Sequence, residues 1–488
     1  MSLLMDLPSE LVHCIGCHML DISKHAILRT FSQMCTSLHS DLLVCLIKAK
    51  EVSLLNAWKE DWKSVLKRVS AEEMAVIDNH FKKTGRGCTR DIVLSIAECC
   101  AKVGNLGVLK FIIVQNPVVF TKEKVVNLLL KACGHGHLSM AQWLTLEFNL
   151  TAEHARKMHN YALRWSCQRG HLEVAQWLTA HFGLTGMDAR AILNDPLRYS
   201  CAMGHLEIAQ WLTHHFGLTV EDARTFDNYA LVWSCTHGHL KVAQWLTEHF
   251  GLTVEDARVN DNDPLLAACI NGHLDVAQWL TQHFGLTAGD ARGARAYAFS
   301  GSCEHGHLDV AQWLTHHFGL TAEDARTDGN YALLFSCEGG HLEVARWLTH
   351  QFGLTAEDAR NDDNYALLTS CAMGHLNVAQ WLAHHFGLTA EDARTNNNYA
   401  LRRCCYNGHL DVAQWLAQHF ELTVDDARAV DNFALQVCCF TGNLEIAKWL
   451  VRRFGLTQDD ARQALHSHTI RRNGDVTSWL GLHFGLTE

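Results

Sequence analysis

Cysteine and histidine recur at fixed spacing in this sequence, and their side chains can bind zinc, form disulfides or support redox chemistry. Of the 19 cysteines among 488 residues, ten stand three positions before a glycine that returns every 34 residues. Nine histidines directly follow the same marker glycines. The two columns are Cys133, Cys167, Cys201, Cys235, Cys269, Cys303, Cys337, Cys371, Cys405 and Cys439, and His137, His171, His205, His239, His273, His307, His341, His375 and His409.

The spacing of these columns argues against chemistry at either of them. Equivalent helices of adjacent repeats pack about 8–10 Å apart, whereas a disulfide needs Cα atoms within roughly 4.4–6.8 Å. A zinc ion needs four ligands at about 2 Å. The columns therefore predict small buried cysteines in a reducing compartment and structural or exposed histidines, with no metal and no cofactor. Because no nucleophile with its base, no phosphate loop and no acid pair stands at a unique place, we predict no enzyme activity.

The period also predicts the architecture. Variants of the block Gly-His-Leu-x-Val-Ala-Gln-Trp-Leu begin at each marker glycine from Gly136 to Gly442. A repeat of this length is typical of stacked helical units, each of which buries its apolar face against its neighbours. We therefore predict an all-α fold, a helical repeat solenoid with a 34-residue period, that binds other macromolecules along an extended surface.

One repeat illustrates the predicted elements. Residues 227–237 form a short helix, helix A, which ends at Gly238 in a left-handed cap. Residues 239–250 form helix B, because apolar residues recur there at three- and four-residue spacing. The linker 252–258 begins with a threonine that an aspartate follows three positions later, which predicts an N-capped helical turn or a compact loop.

Three other residue types hold fixed positions in the repeat. The tryptophan of helix B is predicted to be a core residue at the contact between repeats. The arginines that close the linkers, from Arg156 to Arg462, are predicted to form a ladder with nearby acidic residues. Pro196 and Pro264 stand at the start of helix A, where a missing N–H costs nothing. The tryptophans are Trp143, Trp177, Trp211, Trp245, Trp279, Trp313, Trp347, Trp381, Trp415 and Trp449.

These residues carry a resemblance to a known family. The pattern Tyr-Ala-Leu-x-x-Ser-Cys-x-x-Gly-His-Leu-Glu-Val resembles the ankyrin repeat, and the copies at Pro196 and Pro264 are closer still. The sequence departs from the family in its period, since ankyrin repeats have about 33 residues. It also replaces the Gly-Ala-Asp finger with Phe-Gly-Leu-Thr-x-Glu-Asp-Ala-Arg, so a β-hairpin finger is not expected. The Asp-Asn-Tyr-Ala-Leu variant is similar to ankyrin proteins of giant DNA viruses of amoebae and of their protist hosts.

The resemblance gives the predicted domain organisation. The array covers residues 91–488, with a degenerate first unit near 91–120, regular units to about 457 and a C-terminal cap at 458–488. Residues 46–90 are predicted to be a helical bridge. In the last unit, the polar segment 466–472 replaces helix A and is a plausible outer face for a cap.

Residues 1–45 do not repeat and resemble an F-box, whose core reads Leu-Pro-x-Glu-Leu followed by spaced apolar residues. The stretch from Leu7 to Cys35 is about four residues longer than usual, and the frequent late tryptophan is absent. The resemblance implies docking to the Skp-type linker subunit of a cullin ubiquitin ligase; the alternative is an ordinary helical cap for the solenoid. The matching residues are Leu7, Pro8, Glu10, Leu11, Ile15, Leu20, Leu28 and Cys35.

The repeats differ from one another mainly along one line of helix A. The residues six, five, two and one positions before each marker glycine vary and share one face, which we call the helix A stripe. Trp, Tyr and Arg, the residue types typical of interaction hot spots, are frequent there. The stripe is thus predicted to bind a protein partner; the alternative is drift at exposed positions. The predicted partner-binding residues are Arg164, Trp165, Arg169, Arg198, Tyr199, Trp233, Phe335, Arg402, Arg403 and Tyr406.

Composition narrows the class of partner. The 41 basic and 52 acidic residues give a net charge of −11, which a phosphate backbone repels, so we expect no nucleic-acid partner. The sequence shows neither a signal peptide nor an apolar run long enough for a membrane helix. We expect a cytoplasmic monomer, in the host cytoplasm for a viral protein. The predicted function is an adaptor that links a bound target to a Skp/cullin-type ubiquitin ligase; the alternative is an ankyrin scaffold or decoy with no ubiquitin role.

Overall fold

The computed structural model describes residues 90–292, 297–466 and 474–486, and every regular element among these residues is helical. The chain divides into two compact units, residues 1–226 and 227–488. Within the described part of each unit, the same helical elements recur, so the predicted all-α repeat array is confirmed. The F-box-like segment, the bridge up to residue 89 and most of the polar segment 466–472 lie outside the described residues.

Helix A buries small apolar side chains on one face. In its copy Lys157–Gln168, Ala162, Leu163 and Cys167 are at most 1% exposed. The copy in the degenerate first unit, Arg90–Val103, also forms a helix. The remaining copies are Lys122–Gly134, Ala191–Ala202, Thr225–Thr236, Val259–Ile270, Tyr297–Glu304, Thr327–Glu338, Asn361–Ala372, Ala429–Thr441 and, fused with its linker, Ala390–Asn407.

Helix B follows each marker glycine and buries its valine, alanine and leucine. In Leu172–Phe182, Val174, Ala175 and Leu178 are at most 1% exposed, and the helix ends at Gly183 with a φ of 61°. The left-handed cap needs glycine because a Cβ is strained there. The other copies are Leu106–Gln115, Leu138–Glu147, Leu206–Phe216, Leu240–Phe250, Leu274–Phe284, Leu308–Phe318, Leu342–Phe352, Leu376–Phe386, Leu410–His419, Leu444–Phe454 and Gly474–Phe484.

Each linker contains the predicted capped helical turn. In Val424–Ala427, the Thr423 side chain and the Asp426 side chain form a reciprocal capping box. The linker leucines, such as Leu422 at 3% exposure, are buried beside the turn. The other turns are Ala152–Ala155, Gly186–Ala189, Val220–Ala223, Val254–Ala257, Ala288–Arg292, Ala322–Ala325 and Ala356–Ala359, and the last linker extends into the helix Gln458–His466. A 3₁₀ turn, Pro117–Val119, replaces the linker helix of the first repeat.

A left-handed turn lies inside most of the helix A ranges, just before the regular part of the helix, and the sequence analysis did not foresee it. Met158, His159 and Asn160 have φ values of 54°, 55° and 59°, and the equivalent three residues of later repeats are similar. Left-handed geometry costs roughly 1–2 kcal/mol for each residue that is not glycine. Asparagine tolerates it best, and the third residue is a buried asparagine each time. Pro196 follows such a turn, so it occupies the first right-handed turn, as predicted.

The arginine ladder is confirmed among the described residues. Arg360 Nε and Nη2 donate to the two carboxylate oxygens of Asp392 in the next repeat at 2.8 and 3.2 Å. The same carboxylate accepts from the Thr389 backbone N–H at 2.7 Å. Burial alone would raise the pKa of Asp392, but these hydrogen bonds hold it below its usual value. The same bond joins Arg156–Asp188, Arg190–Asp222, Arg258–Asp290, Arg326–Asp358, Arg394–Asp426 and Arg428–Asp460.

The marker glycine and its histidine also join consecutive repeats. A Cβ added at Gly136 would lie 2.6 Å from Nδ1 of His171, so only glycine lets the ring of the next repeat approach this closely. His137 Nε2–H donates across the repeat boundary to the Lys102 carbonyl at 3.0 Å, which assigns its tautomer. The structural interpretation of this histidine column is therefore confirmed where the structure describes it.

The cysteine column is buried and unpaired by disulfides, as predicted. Its described members are at most 3% exposed and are free thiols. Burial raises the pKa of the column thiols from Cys133 to Cys371, for example that of Cys235 to about 12. The thiolate, which is the reactive form, is therefore scarce at neutral pH.

The prediction that the tryptophans are core residues is wrong. Trp177 and its equivalents are half-buried, whereas leucine, alanine and valine fill the core. The Trp177 ring stacks on His181 one helical turn later at 5.3 Å and meets the edge of Phe182 at 5.8 Å. The tryptophan thus lies on the flank of helix B, where its own helix covers one ring face.

The ladder predicts a specific loss of stability in an Asp392→Ala variant. The change leaves Arg360 and the Thr389 N–H without their acceptor, so we expect the free energy of unfolding to fall by about 1–3 kcal/mol. Because Arg360 is partly exposed, its ion pair with Asp392 contributes only a small part of this loss of stability. Urea denaturation followed by circular dichroism measures the change. The matched control is Glu391→Ala, an exposed neighbour; an equal loss in both variants would contradict the interpretation.

The histidine column predicts that acid destabilises the array. Burial lowers the pKa of His307, His341 and His375. The unfolded chain binds protons at about pH 6.5, whereas the folded chain resists protonation to lower pH, so stability falls as the pH drops below that value. The aspartates of the ladder, whose pKa values are also lowered, add a separate loss below about pH 4.

The chain supplies its own control for the histidine effect. Asn443 occupies the histidine position in a later repeat, and its Nδ2 donates to the Cys405 carbonyl at 2.9 Å. Replacing His307, His341 and His375 with asparagine keeps such a bond and removes the titration. The difference between urea midpoints at pH 7.5 and 5.5 should therefore shrink in the triple variant. An unchanged difference would show that the loss arises elsewhere.

Candidate protein-interaction surface

The helix A stripe lies on the solvent side of helix A. In the copy 157–168, Leu163, Ser166 and Cys167 are buried, whereas Arg164 and Trp165 between them are half-buried. In this copy a buried apolar face and a partly accessible, varied face share one short helix, whereas in other copies some stripe residues, such as Ala202 and Leu368, are buried. Each of the two compact units carries its own section of the stripe, and the sections differ in character.

An aromatic and basic stack dominates the stripe in residues 157–203. The Tyr161 and Trp165 rings stack with centroids 4.8 Å apart. The Arg169 guanidinium lies 4.4 Å from the Trp165 ring centre, within the range of a cation–π contact. Arg169 is exposed, so this stack presents both a flat ring and a positive charge to solvent.

Two of the predicted binding arginines are engaged within the protein. Arg164 Nε donates to an Asp195 oxygen at 2.7 Å, and Arg198 pairs with the other Asp195 oxygen. Arg198 is only 5% exposed, and its guanidinium lies 5.9 Å from the Tyr199 ring. These arginines therefore shape the surface around Tyr199 and offer little free charge to a partner.

The stripe of residues 227–488 starts with an exposed tryptophan. Trp233 is 38% exposed and lies between Tyr229 and His237, with ring centroids 5.2 and 5.4 Å away. An indole fixed by rings on both sides along its helix loses little conformational freedom on binding. The exposed ring could therefore contact an apolar or cationic group without a large entropic cost.

Phe335 belongs to a cluster of three rings. Its ring lies 3.9 Å from Tyr331 and 5.6 Å from Tyr365 of the next repeat. The Tyr365 hydroxyl donates to Glu338 at 2.7 Å, and both burial and this carboxylate raise the pKa of Tyr365. The hydroxyl therefore stays protonated, and its hydrogen bond joins the stripes of the two repeats.

The last predicted residues form a second basic and aromatic group. The Arg403 guanidinium lies 5.7 Å from the Tyr399 ring and 5.1 Å from the Tyr406 ring. Tyr406 stacks at 6.2 Å on Phe440, which is 42% exposed. Arg402 points instead to the left-handed turn of its own repeat, where it donates to two backbone carbonyls.

The left-handed turns add exposed residues that the sequence analysis missed. In residues 157–226 they are apolar, with Met158, Leu193 and Phe226 each at least 55% exposed. In residues 327–399 they carry the exposed acids Asp328, Asp362 and Asp363 instead. In the sequence, these exposed residues could have been recognised by their variation ahead of each Asn-Tyr-Ala-Leu block.

Turns and stripe together enclose a groove in residues 328–365. The groove has a volume of about 360 Å³. A smaller groove of about 150 Å³ in residues 362–399 shares Asp362 and Tyr365 with it. The first is lined by Asp328, Gly329, Tyr331, Leu334, Phe335, Asn361, Asp362 and Tyr365, and the second by Asp362, Asp363, Tyr365, Leu368, Thr369, Asn396 and Tyr399.

In the described ranges, no group of three or more His, Cys, Asp or Glu side chains has the geometry to hold a metal ion. None of the helices described is long and apolar enough to cross a membrane. The predicted ligase-binding residues, from Leu7 to Cys35, lie outside the described residues.

Comparison with known proteins gives one result. A family model described as ankyrin repeats (3 copies) matches residues 129–222, 197–290 and 299–392, which together make up more than half of the chain. No curated protein matches the chain. The matched ranges contain the Tyr161–Trp165 stack, Trp233 and the ring cluster around Phe335.

Proposed function

Because the chain belongs to the ankyrin-repeat family, whose repeats are non-enzymatic protein-interaction scaffolds, we propose that the helix A stripe captures a protein partner. The observation that carries this proposal is the contrast between the two faces of helix A. One face is a uniform core of alanine, leucine and cysteine, and the other presents rings and guanidinium groups that differ from repeat to repeat.

The exposed anchors have the composition of interaction hot spots. Trp165, Trp233 and Phe335 are each stacked against a tyrosine one helical turn earlier, so their rotamers are already restricted. Prearranged rings lose less entropy when a partner covers them. Variation among the repeats then supplies specificity, because each repeat offers a different combination of ring and charge.

The stripe proposal predicts a loss of capture without a loss of folding. Alanine at Trp165, Tyr199 and Trp233 removes ring surface while the buried Leu231, at 1% exposure, remains in place. A partner recovered by cross-linking with the unchanged chain should bind the triple variant at least about tenfold more weakly, since hot-spot truncations cost 2 kcal/mol or more. Thermal unfolding should stay cooperative.

A matched control distinguishes the stripe from the rest of the surface. Met187, Val118 and Leu482 are 86–91% exposed apolar residues outside the stripe. Alanine at these three positions removes comparable apolar surface and should leave capture unchanged. Equal loss in both triple variants would contradict the proposal.

For the N-terminal segment we propose the finer role that its F-box resemblance implies. Residues 1–45 would dock to the Skp-type linker subunit of a cullin ubiquitin ligase, and the array would select the target for ubiquitination. The support is the match of Leu7, Pro8, Glu10 and Leu11 to the Leu-Pro-x-Glu-Leu core. The second candidate is a scaffold or decoy that binds the same target without a ligase, and its support is the ankyrin family match, which is all that such a role requires.

The ligase role predicts binding that depends on two residues. The full chain should retain the Skp-type subunit in a pulldown, and the double change Leu7→Ala and Pro8→Ala should reduce retention by at least about tenfold if the two residues are interface anchors. Ser9→Ala changes the unspecified position of the same pattern and should have no effect. If the unchanged chain does not retain the subunit, the ligase role fails and the scaffold remains.

A further inference from the structure

The array contains a guanidinium site that is filled from within in one repeat. Arg402 Nε donates to the Asn397 carbonyl and its Nη2 to the Asn396 carbonyl, both at 2.9 Å, so the guanidinium caps the left-handed turn. The same guanidinium lies 5.9 Å from the Tyr399 ring and 5.2 Å from the Phe433 ring of the next repeat. The site therefore consists of the two turn carbonyls and the two rings around the guanidinium of this stripe residue.

Equivalent positions in two other repeats also hold a donor that reaches the left-handed turn. Arg198, in the other compact unit, donates to the Ile192 carbonyl at 3.2 Å and lies 5.2 Å from the Phe226 ring. Gln436 donates to the Asp431 carbonyl from the same place in the repeat. A donor side chain six residues before the marker glycine therefore reaches the carbonyls of its own left-handed turn.

Two adjacent repeats lack this donor and have a groove there. Leu334 and Leu368 stand at the position of Arg402 and have no group that can donate. The grooves of about 360 and 150 Å³ lie beside these two leucines. Tyr331 and Tyr365 line the first groove and correspond by the 34-residue period to Tyr399 and Phe433, the two rings that face the Arg402 guanidinium.

The charge of the grooves is opposite to that of the missing side chain. Asp328 and Asp362 stand where the filled repeat has Asn396 and Val430, and Asp363 replaces Asn397. Among the residues that the structure describes, no lysine or arginine pairs with any of these three carboxylates. Glu304 and Glu338 nearby accept hydrogen bonds from Tyr331 and Tyr365, which leaves their charge uncompensated as well.

We propose that these two grooves bind arginine side chains of the captured protein partner, which take the place that Arg402 occupies in its own repeat. This inference rests on the proposed function of the stripe and adds the chemistry of the ligand. Arginine is favoured over lysine because its planar guanidinium reaches two acceptors at once and stacks on rings. In the filled site it donates to two carbonyls, and in the grooves it would also meet the carboxylates.

The spacing of the grooves defines a probe. Equivalent helices of adjacent repeats pack about 8–10 Å apart, and three residues in the polyproline II conformation, which has three residues per turn, span about 9 Å and return to the same face. A fluorescein-labelled Gly-Ser-Arg-Gly-Ser-Arg-Gly-Ser peptide therefore places its two arginines one repeat apart. The same peptide with citrulline in place of arginine is a neutral isostere, and a third peptide carries lysine.

Fluorescence anisotropy with the full chain should rank the three peptides. The arginine peptide should bind at least about threefold more tightly than the lysine peptide, which loses the planar stacking, and about tenfold more tightly than the citrulline peptide, which loses the charge. Equal binding of the arginine and citrulline peptides, or no binding of the arginine peptide, would overturn the inference.

Variants of the chain locate the binding. Leu334→Arg with Leu368→Arg should fill both grooves as Arg402 does and weaken the arginine peptide at least about tenfold. Leu334→Gln with Leu368→Gln fills them as Gln436 does at constant charge and should weaken it similarly. His350→Arg, on exposed helix B of the same region, adds charge elsewhere and should have little effect. Unchanged binding in both double variants would overturn the inference.

The outcomes separate this inference from the stripe proposal. Circular dichroism and thermal unfolding show whether each double variant folds, and Asp328→Asn with Asp362→Asn offers a milder change that the chain itself carries at Asn396. If the peptides fail to discriminate but the Trp165, Tyr199 and Trp233 variant still loses its partner, the groove inference fails and stripe capture stands. If both fail, the stripe proposal fails as well.

Discussion

The bond from a linker arginine to the aspartate of the next linker is the contact on which the rest of each stack depends. In Arg156–Asp188, the carboxylate accepts two hydrogen bonds from the guanidinium and also caps its own helical turn through Thr185. The Asp188 backbone carbonyl lies 3.5 Å from Nδ2 of Asn160, the buried asparagine at the end of a left-handed turn. Asp188 thus connects its own linker to the linker arginine and to the left-handed turn of the preceding repeat. Because helix A starts from that turn, the direction of the helix A stripe follows from the same contact.

The repeat assigns different tasks to its buried and exposed residues. Contacts between repeats use a small set of residues, and the glycine–histidine approach tolerates no larger side chain. The proposed binding positions vary instead, and where they touch the next repeat, as Phe335 touches Tyr365, the contact differs from repeat to repeat. This explains how Trp233, Phe335 and Arg403 can occupy related places in one architecture. It also explains why the same position can hold Arg402, which fills the site, in one repeat and Leu334, which leaves a groove, in another without a change of fold.

The sequence predicted the regular elements well because their signals are local and are repeated. The Thr-x-x-Asp caps, the glycines at helix ends and the apolar spacing of helix B each identify an element by itself. The left-handed turns could not be predicted, since the two residues ahead of the asparagine do not favour that geometry, and the bond from Asn160 to the next repeat is not visible in the sequence. Apolar periodicity placed Trp177 on the inner side of helix B, but it does not distinguish a core position from a flank. The stripe could be found in the sequence because its residues vary between repeats. The grooves could not, since they depend on whether the side chain at the Arg402 position reaches the carbonyls of the left-handed turn.

The buried cysteines have a consequence for how the array can be studied. Most repeats hold a column thiol at the same depth, two of them hold a second buried thiol, at Cys404 and Cys438, and a thiol-specific reagent reaches these groups only when the repeat opens. Local opening free energies vary along a chain, and terminal segments open most readily. Labelling followed by peptide mass spectrometry would therefore rank the repeats by their opening rates without any engineered probe. The native cysteines thus act as reporters of local opening at regular intervals along the array.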